Sequence, residues 1–393
     1  MTFSQIIIAE FNAVFSNKAI ILTVFGGVLF YSFLYPLPYS NQIPRDLQVV
    51  VVNLDDSQLS RRLERMIDAT PQVELVRRAY SIEEAQKIFI EEDMAGIVVI
   101  PEHFHRDLLL GKRPTLSFAG DASYFLIYGT VIEGMAGAGN QLAAGIKVNR
   151  MVMSGQSPAL AREQYRPIRL NLRMVFNETE GYVNYVIPAV FILILHHTLI
   201  MAAAILGSSQ NEAQAAGVNG YWQQAAPIKL LVARTAVFII IYWLLSLYYF
   251  GFSFDFYHIP RQASISGMTL VMVPFLLSAA FFGICLGLIL PRRELSTPVL
   301  LFSSMPLIFG CGFIWPVESI PAPITAVFQL VPAIPAIHMF LKINQLGADF
   351  VELLPLWKQL WICTAVYGSL SWCILQLKRK QYHLLSARQQ SDP

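Results

Sequence analysis

Charged residues are scarce in this chain and unevenly distributed. Of its 393 residues 14% are charged, against about 25% in an average soluble domain, which excludes an ordinary water-soluble protein. The net charge of +2 is too small to indicate a nucleic acid partner. The stretch 38–181 holds 34 charged residues, 16 basic and 18 acidic. It predicts a water-soluble domain, and the rest of the chain predicts membrane helices.

Cysteine is rare as well, and several catalytic motifs are missing. The four cysteines, Cys285, Cys311, Cys363 and Cys373, lie in or beside apolar segments, which excludes disulfides and cysteine metal sites from 38–181. No G-x-x-x-x-G-K-[ST] occurs, which excludes ATP binding by a P-loop. G-x-S-x-G and H-E-x-x-H are also missing. We therefore predict no catalytic, cofactor-binding or metal-binding residues.

Long apolar segments predict a multi-pass membrane protein. A helix needs about 20 apolar residues to cross a bilayer, and the candidates are 19–37, 183–206, 229–252, 267–290, 298–316 and 356–377. With the N-terminus inside, the cytoplasmic flanks hold nine Lys and Arg residues, including Arg234 and Lys378, and the short outer flanks hold three. This asymmetry predicts that both termini are cytoplasmic and that 38–181 is extracytoplasmic.

Two segments beside these spans have other predicted structures. Within 1–18, apolar residues Phe3, Ile7, Phe11, Val14 and Phe15 share one helical face, which predicts an amphipathic helix in the inner membrane surface. The apolar segment 320–341 contains four prolines, and an interior proline costs a helix about 3 kcal/mol. It therefore predicts a broken pair of half-helices within 317–345 that re-enters from the outer face. The prolines of this region are Pro316, Pro321, Pro323, Pro332 and Pro335.

The 38–181 stretch alternates strand and helix patterns, which predicts an α/β domain with a partly parallel sheet. Strands are predicted at 47–53, 73–79, 95–101 and 114–120, with helices between them, a long helix over 123–153 and an edge strand over 165–177. The predicted fold is thus a polytopic α-helical membrane protein of six spans and an outer re-entrant segment, with an inserted α/β extracytoplasmic domain. Residues 182–377 would be its five-span membrane domain and 378–393 a cytoplasmic tail.

His196 and His197 are ionisable residues in the middle of the second predicted span. Ionisable residues within a membrane are candidates for a transport role, so both are candidate residues of a translocation path. A neutral histidine that bonds a neighbouring helix in the bundle is the alternative interpretation.

The order of segments, over essentially the whole chain, resembles the type-2 ABC exporter permeases with a large extracytoplasmic domain after the first span. VVVVNLDDSQLSRRLERMIDATPQVELVRRAYSIEEAQKIFIEEDMAGIVVIP is similar to the external domain of that subgroup, and GFIWPVESIPAPITAVFQLVPAIPAIHMF is similar to its outer re-entrant segment. The resemblance implies a non-catalytic subunit in a bacterial inner membrane. ATP would be bound by a separate ABC-type ATPase subunit. A second permease chain, identical or different, and a periplasmic membrane-fusion adaptor are the other implied partners.

The segment 207–228, between the second and third spans, is the predicted contact for the ATPase. It departs from the charged run that the family usually carries there, and it keeps Glu212 and Pro227. Tyr221 and Trp222 are candidate aromatic anchors for a partner, or alternatively anchors in the membrane surface. The alternative function is a membrane-anchored sensor or scaffold whose external domain binds a ligand or a protein.

Overall fold

The computed structural model describes residues 1–40, 43–165, 177 and 181–391, with side chains as far as residue 382. Its contacts divide the chain into two units. The membrane unit comprises Met1–Gln42 and Met174–Pro393, and the α/β unit comprises Ile43–Arg173.

The membrane unit begins with a short helix that is separate from the first apolar helix. The chain forms α1 (Phe3–Ser16), α2 (Lys18–Ile21), a π-helical segment Leu22–Gly27 and α3 (Val28–Leu34). A capping box between Thr2 and Gln5 starts α1, and Asn17 separates α1 from α2. Most of the predicted apolar face of α1 is exposed, whereas Ile6, Glu10 and Val14 are buried against the protein.

Over residues 43–165, the α/β unit is a four-stranded sheet with helices. Its elements are β1 (Leu47–Asn53), α4 (Gln58–Asp68), β2 (Val73–Ala79), α5 (Ile82–Glu91), β3 (Gly96–Ile100), α6 (Phe104–Leu109), β4 (Ser117–Gly120), α7 (Phe125–Met153) and α8 (Pro158–Tyr165). The strand order is β2-β1-β3-β4, in which only the β3–β4 pair is antiparallel. The predicted edge strand over 165–177 lies, apart from Tyr165 and Asn177, outside the described residues, and Tyr165 is helical.

The central strand β1 carries apolar side chains on both faces of the sheet because successive side chains of a strand point in opposite directions. Val49 and Val51 pack with residues of α4 and α7, and Val50 and Val52 pack with residues of α5. The unit therefore has three layers, with helices on both sides of the sheet. This is why the run LQVVVVN does not alternate with polar residues.

The second part of the membrane unit is helical throughout its described length. Its helices are α9 (Tyr182–Ala215), α10 (Tyr221–Gln224), α11 (Pro227–Leu247), α12 (Phe254–Phe256), α13 (Ile265–Ile289), α14 (Ser296–Gly310), α15 (Ala322–Phe328), α16 (Ala333–Phe340) and α17 (Phe350–Ser391). Two π-helical segments, Tyr248–Ser253 and Leu341–Gln345, follow α11 and α16.

Five helices of the described residues are long and apolar enough to cross a membrane: Lys18–Tyr39, Tyr182–Ala215, Pro227–Phe256, Ile265–Ile289 and Phe350–Tyr382. A sixth is counted if the pair α15 and α16, which are bent by 90°, forms one span. The predicted span 298–316 differs from the structure. Its helix, α14, has 15 residues and ends at Gly310, before Gly312 takes a φ of +79°. At 1.5 Å per residue α14 is about 22 Å long.

Helix α9 is the centre of the membrane unit. Its apolar window is 89% buried, whereas those of the first and last apolar helices are 28% and 22% buried. It packs closely on α13, where a Cβ added at Gly207 would lie 2.8 Å from the carbonyl carbon of Gly287. Small residues at such crossings let two backbones approach. The residues around Gly207 therefore contact several helices at once.

Candidate functional site

The predicted ATPase-contact segment 207–228 is more helical than the sequence indicates. Helix α9 continues through Gly207 and ends at Ala215. Gly217, two residues later, has a φ of +78° and turns the chain away from the helix. Helix α11 begins at Pro227, whose missing N–H is not needed in the first turn. Gly207 is therefore a packing residue inside a helix. We call this end of the membrane unit the α9–α11 end.

A buried ion pair joins α1 to α11 at the α9–α11 end. The Arg234 guanidinium donates from Nε to Glu10 Oε2 over 2.9 Å and from Nη2 to Glu10 Oε1 over 2.8 Å. Both side chains are fully buried, with exposed fractions of 1% and 0%. Buried charges of this kind are stable only when they are paired and hydrogen-bonded. Arg234 therefore lies inside α11 and is paired with Glu10, and its place among the cytoplasmic charges stays a prediction.

Two neighbours complete the hydrogen bonding of this pair. Arg234 Nη2 also donates to Gln210 Oε1 on α9 over 2.6 Å. The Tyr221 hydroxyl on α10 donates to Glu10 Oε1 over 2.9 Å and accepts from Gln210 Nε2 over 3.1 Å. Burial raises the pKa of Tyr221 and the Glu10 carboxylate raises it further, so the phenol stays protonated and donates. The four side chains connect α1, α9, α10 and α11.

The next residue of α9 ties two more helices to the same place. Asn211 Nδ2 donates to the carbonyls of Gly287 over 2.9 Å, Leu288 over 3.3 Å and Leu290 over 2.7 Å. These carbonyls lie at the end of α13, where a helix leaves its last acceptors unpaired. Asn211 Oδ1 accepts a hydrogen bond from Lys378 Nζ on α17. One amide therefore binds α9 to both α13 and α17.

Two further contacts bring α14 and the turn before it to this end of α9. Ser208 Oγ lies 3.1 Å from Ser296 Oγ at the start of α14. The predicted contact residue Glu212 lies 3.7 Å from Arg293 Nε, and both side chains are about half exposed. Residues 207–212 of α9 thus contact α11, α13, α14 and α17. We call this segment the hub.

The predicted aromatic anchors are partly buried and pack against the membrane unit, and their role in binding a partner stays a prediction. The Tyr221 hydroxyl is used inside the buried network, and the Trp222 ring packs in an edge-to-face contact with Tyr221 at 5.5 Å. A Cβ added at Gly220 would lie 2.0 Å from the Trp222 ring, so only glycine fits there. The residues of this loop that are exposed are Ala215, Ala216, Gly217, Val218, Asn219 and Gln224.

The two predicted path histidines have different surroundings, although their rings are only 5.4 Å apart. His196 is buried inside the bundle, its ring 6.4 Å from that of Phe275, and neither ring nitrogen has a hydrogen-bond partner among the described residues. His197 has Nδ1 3.0 Å from the Leu193 carbonyl. It lines a groove of about 210 Å³ on the surface of α9. The other lining residues include Tyr31, Tyr35, Thr198 and Ser304.

The prolines of the predicted re-entrant segment stand at helix starts. Pro321 and Pro332 are the N-caps of α15 and α16, and Pro323 lies in the first turn of α15. A proline is tolerated there because the first N–H groups of a helix have no intrahelical partner. Pro335 also lies in the first turn of α16, and Pro316 precedes the 3₁₀ turn Val317–Ser319. The prolines therefore begin two short helices instead of interrupting one.

The predicted contact segment 207–228 includes the hub, but sequence reasoning did not single out Gln210 or Asn211 in it, and it missed their partners and neighbours Glu10, Arg234 and Lys378. Two of these residues, Glu10 and Arg234, could have been identified from their surroundings in the sequence. Glu10 is the only acidic residue in 1–40, and Arg234 stands inside an apolar segment. Ionisable residues in such surroundings usually have a partner of opposite charge. The chain also contains Gly283-x-x-x-Gly287, a pattern of close helix packing.

These features define a class, a multi-pass helical membrane protein whose helices are joined at one end by buried polar contacts. The model of a family described as "ABC-2 family transporter protein" matches residues 18–373. The chain belongs to this family, whose members are membrane subunits of ABC transporters and are generally non-catalytic. No curated protein compared with the chain matches it. The family match favours the transporter over the sensor or scaffold alternative.

Proposed function

We propose that the chain is the membrane subunit of an ATP-driven ABC exporter, and that its ATPase subunit binds the loop around α10. Family membership implies an ABC-type ATPase in general. The observation that supports the position is the hub. Tyr221 on α10 is hydrogen-bonded to Glu10 on α1, and Glu10 is paired with Arg234 on α11. A displacement of α10 would therefore be transmitted to α1 and α11.

A motor needs a surface that is both accessible and rigidly attached. The exposed residues Val218, Asn219 and Gln224 provide the accessible part. Their attachment is rigid on both sides, since Gly217 ends a 34-residue helix and α10 is held by the Tyr221 hydroxyl. Glu212, whose side chain is 41% exposed, lies beside this surface, and a charge of this kind contributes less than about 1 kcal/mol to binding.

The translocation path is proposed to form between two permease chains, identical or different. The His197 groove opens on the surface of the membrane unit and carries the hydroxyls of Tyr31, Tyr35 and Ser304. A second chain would close it, whereas His196 has a packing role.

The α/β unit is proposed to be extracytoplasmic, where a membrane-fusion adaptor is a candidate partner. The location is a bacterial inner membrane, with both termini cytoplasmic.

The test compares two exposed valines. The tagged chain is purified in detergent from its own cells, and an ABC-type ATPase that accompanies it is identified by mass spectrometry. Val218→Asp places a charge on the proposed contact, and we expect at least about tenfold less ATPase bound, which corresponds to about 1.4 kcal/mol. Val351→Asp is the matched control. Val351 is also exposed, but it lies at the start of α17, whereas the part of α17 that contacts the hub is around Lys378. Equal ATPase binding by both variants and wild type would contradict the proposal.

A further inference from the structure

A small cavity beside the hub is lined by donors and cations. It has a volume of about 40 Å³ and lies between α9, α10, the end of α13 and α17. Its polar lining residues include Gln210, Asn211, Gln214, Trp222, Lys378 and Arg379, and its apolar side is formed by Leu288 and Leu375. No acidic residue is among the described side chains that line it.

The charges around this cavity are unbalanced. An ammonium group has three protons to donate, and Lys378 Nζ has Asn211 Oδ1 as an acceptor. Among the described residues no carboxylate lies within 4 Å of Lys378 Nζ, unlike Arg234, which has Glu10. The Trp222 Nε1–H is buried and has no acceptor among the described residues. A buried donor without an acceptor is unfavourable, so a ligand oxygen that accepts from Trp222 Nε1–H would be favourable in this cavity.

We propose that this cavity binds a phosphate group through Lys378, Arg379 and Trp222 Nε1–H. Phosphate oxygens accept charge-assisted hydrogen bonds from lysine and arginine. The cavity has room for about three water molecules, which suits one phosphate group and excludes a nucleotide. Such a group is supplied by a phospholipid headgroup or by free phosphate. Lys378 lies near the end of the last apolar helix, Phe350–Tyr382, and basic pockets between helices at a membrane surface bind anionic headgroups.

The test uses the full chain, purified without any ATPase, so its outcome does not depend on the proposed coupling function. Native mass spectrometry measures how much phosphatidylglycerol remains bound, with diacylglycerol as the lipid that lacks phosphate. Calorimetry with inorganic phosphate measures the other source. We expect phosphatidylglycerol to bind and Lys378→Gln to lower its occupancy at least about fivefold. Trp222→Phe, which keeps a ring over Gly220, should lower it less.

Two matched variants separate charge recognition from a loss of folding. Lys378→Arg keeps the charge and should retain binding. Lys380→Gln removes a charge of the same basic run from an exposed residue outside the cavity and should bind as wild type does. Binding of inorganic phosphate alone would assign the site to free phosphate. The proposal is overturned if neither phosphate source binds, if diacylglycerol binds as well as phosphatidylglycerol, or if Lys380→Gln has the same effect as Lys378→Gln.

Discussion

At the scale of single residues, the Glu10–Arg234 pair is the contact with the largest expected effect on stability. Removing one member of a buried ion pair leaves the other charge buried and unpaired, which lowers stability by about 3–5 kcal/mol. Here the carboxylate also accepts from Tyr221 and the guanidinium also donates to Gln210. The loss of Glu10 therefore removes the bonds to two partners on two helices, Tyr221 on α10 and Arg234 on α11.

We expect Glu10→Gln to lower the thermal stability of the purified chain by several degrees, because the Arg234 charge is then buried without a counter-charge. Glu212→Gln is the matched control. It removes a carboxylate from an ion pair of 3.7 Å whose side chains are 41% and 57% exposed, and exposed pairs contribute about 0–1 kcal/mol. Thermal unfolding monitored by tryptophan fluorescence measures both. Melting temperatures that fall equally would contradict a structural role for the buried pair.

The sequence predicts the role of a residue when that role depends on neighbours that are close in the chain. The prolines of 317–345 were correctly expected to prevent a continuous helix, because the backbone restriction of proline acts within one turn. The role of Tyr221 could not be predicted, since its hydroxyl partner Glu10 lies 211 residues earlier in the chain. A pattern of apolar and polar residues does not show which distant side chain will share a hydrogen bond.

At the scale of elements, the α9–α13 crossing depends on the absence of side chains. A Cβ at Gly287 would lie 2.8 Å from the Ala204 carbonyl oxygen and 2.9 Å from that of Ala203. A Cβ at Gly283 would lie 2.8 Å from the Cα of Ile200. Each neighbour is backbone of α9, so the helices would have to separate. The hub bonds from Asn211 to the end of α13 would then lengthen.

We expect Gly287→Ala to destabilise the membrane unit by about 1–3 kcal/mol, the usual effect of overpacking a core. The loss should be seen as a lower melting temperature and, in ATPase assays of the assembled transporter, as weaker coupling. Gly251→Ala is the control in the same unit, because a Cβ there has no heavy atom within 4 Å among the described residues. Unchanged stability of Gly287→Ala would mean that the two helices can separate without loss.

Hydrophobicity locates the apolar part of a helix but not its end. The predicted second span ends at 206, where the apolar run gives way to GSSQNEAQA, whereas α9 continues to Ala215. The extra turns are stabilised by polar contacts to other helices, such as Asn211 with the end of α13, and a single sequence does not show them. The π-helical segments at Leu22–Gly27 and Tyr248–Ser253 were likewise not predicted.

At the scale of the whole molecule, two distant contacts define the course of α14. Its start is bonded to Ser208 through Ser296, and the turn after it is bonded to α9 by the Tyr185 hydroxyl, which donates to the Phe313 carbonyl. Ser208 and Tyr185 are 23 residues apart on α9, which is about 34 Å along the helix. This length matches a hydrocarbon core of about 30 Å. The segment 296–313 therefore runs the length of a span although its helix is short.

Two contacts hold the second half of the bent pair at one end of the membrane unit. In α16, His338 Nε2 lies 2.8 Å from the Cys311 carbonyl, next to the turn that Tyr185 binds. In the π-helical segment that follows, Asn344 Nδ2 donates to the Pro260 carbonyl over 3.3 Å, in the connection between α12 and α13. These contacts place the exit of the bent pair at the same end as the turn after α14. The strand and helix alternation of the α/β unit was predicted from sequence because each pattern spans one element.

The last prediction is that Ser319 and Leu346, which flank the bent pair, are both accessible from outside the cell. The physical reason is that 296–313 runs about the length of a span, whereas α15 and α16 are short helices bent by 90°, so we expect 296–313 to cross the membrane and the bent pair to re-enter. Each residue is replaced singly by cysteine after Cys285, Cys311, Cys363 and Cys373 are changed to alanine, and spheroplasts are treated with an impermeant maleimide. Ala216→Cys, in the exposed loop before α10, should react only after permeabilisation. Labelling of Leu346→Cys but not Ser319→Cys from outside would make the bent pair the crossing and leave α14 on the cytoplasmic side.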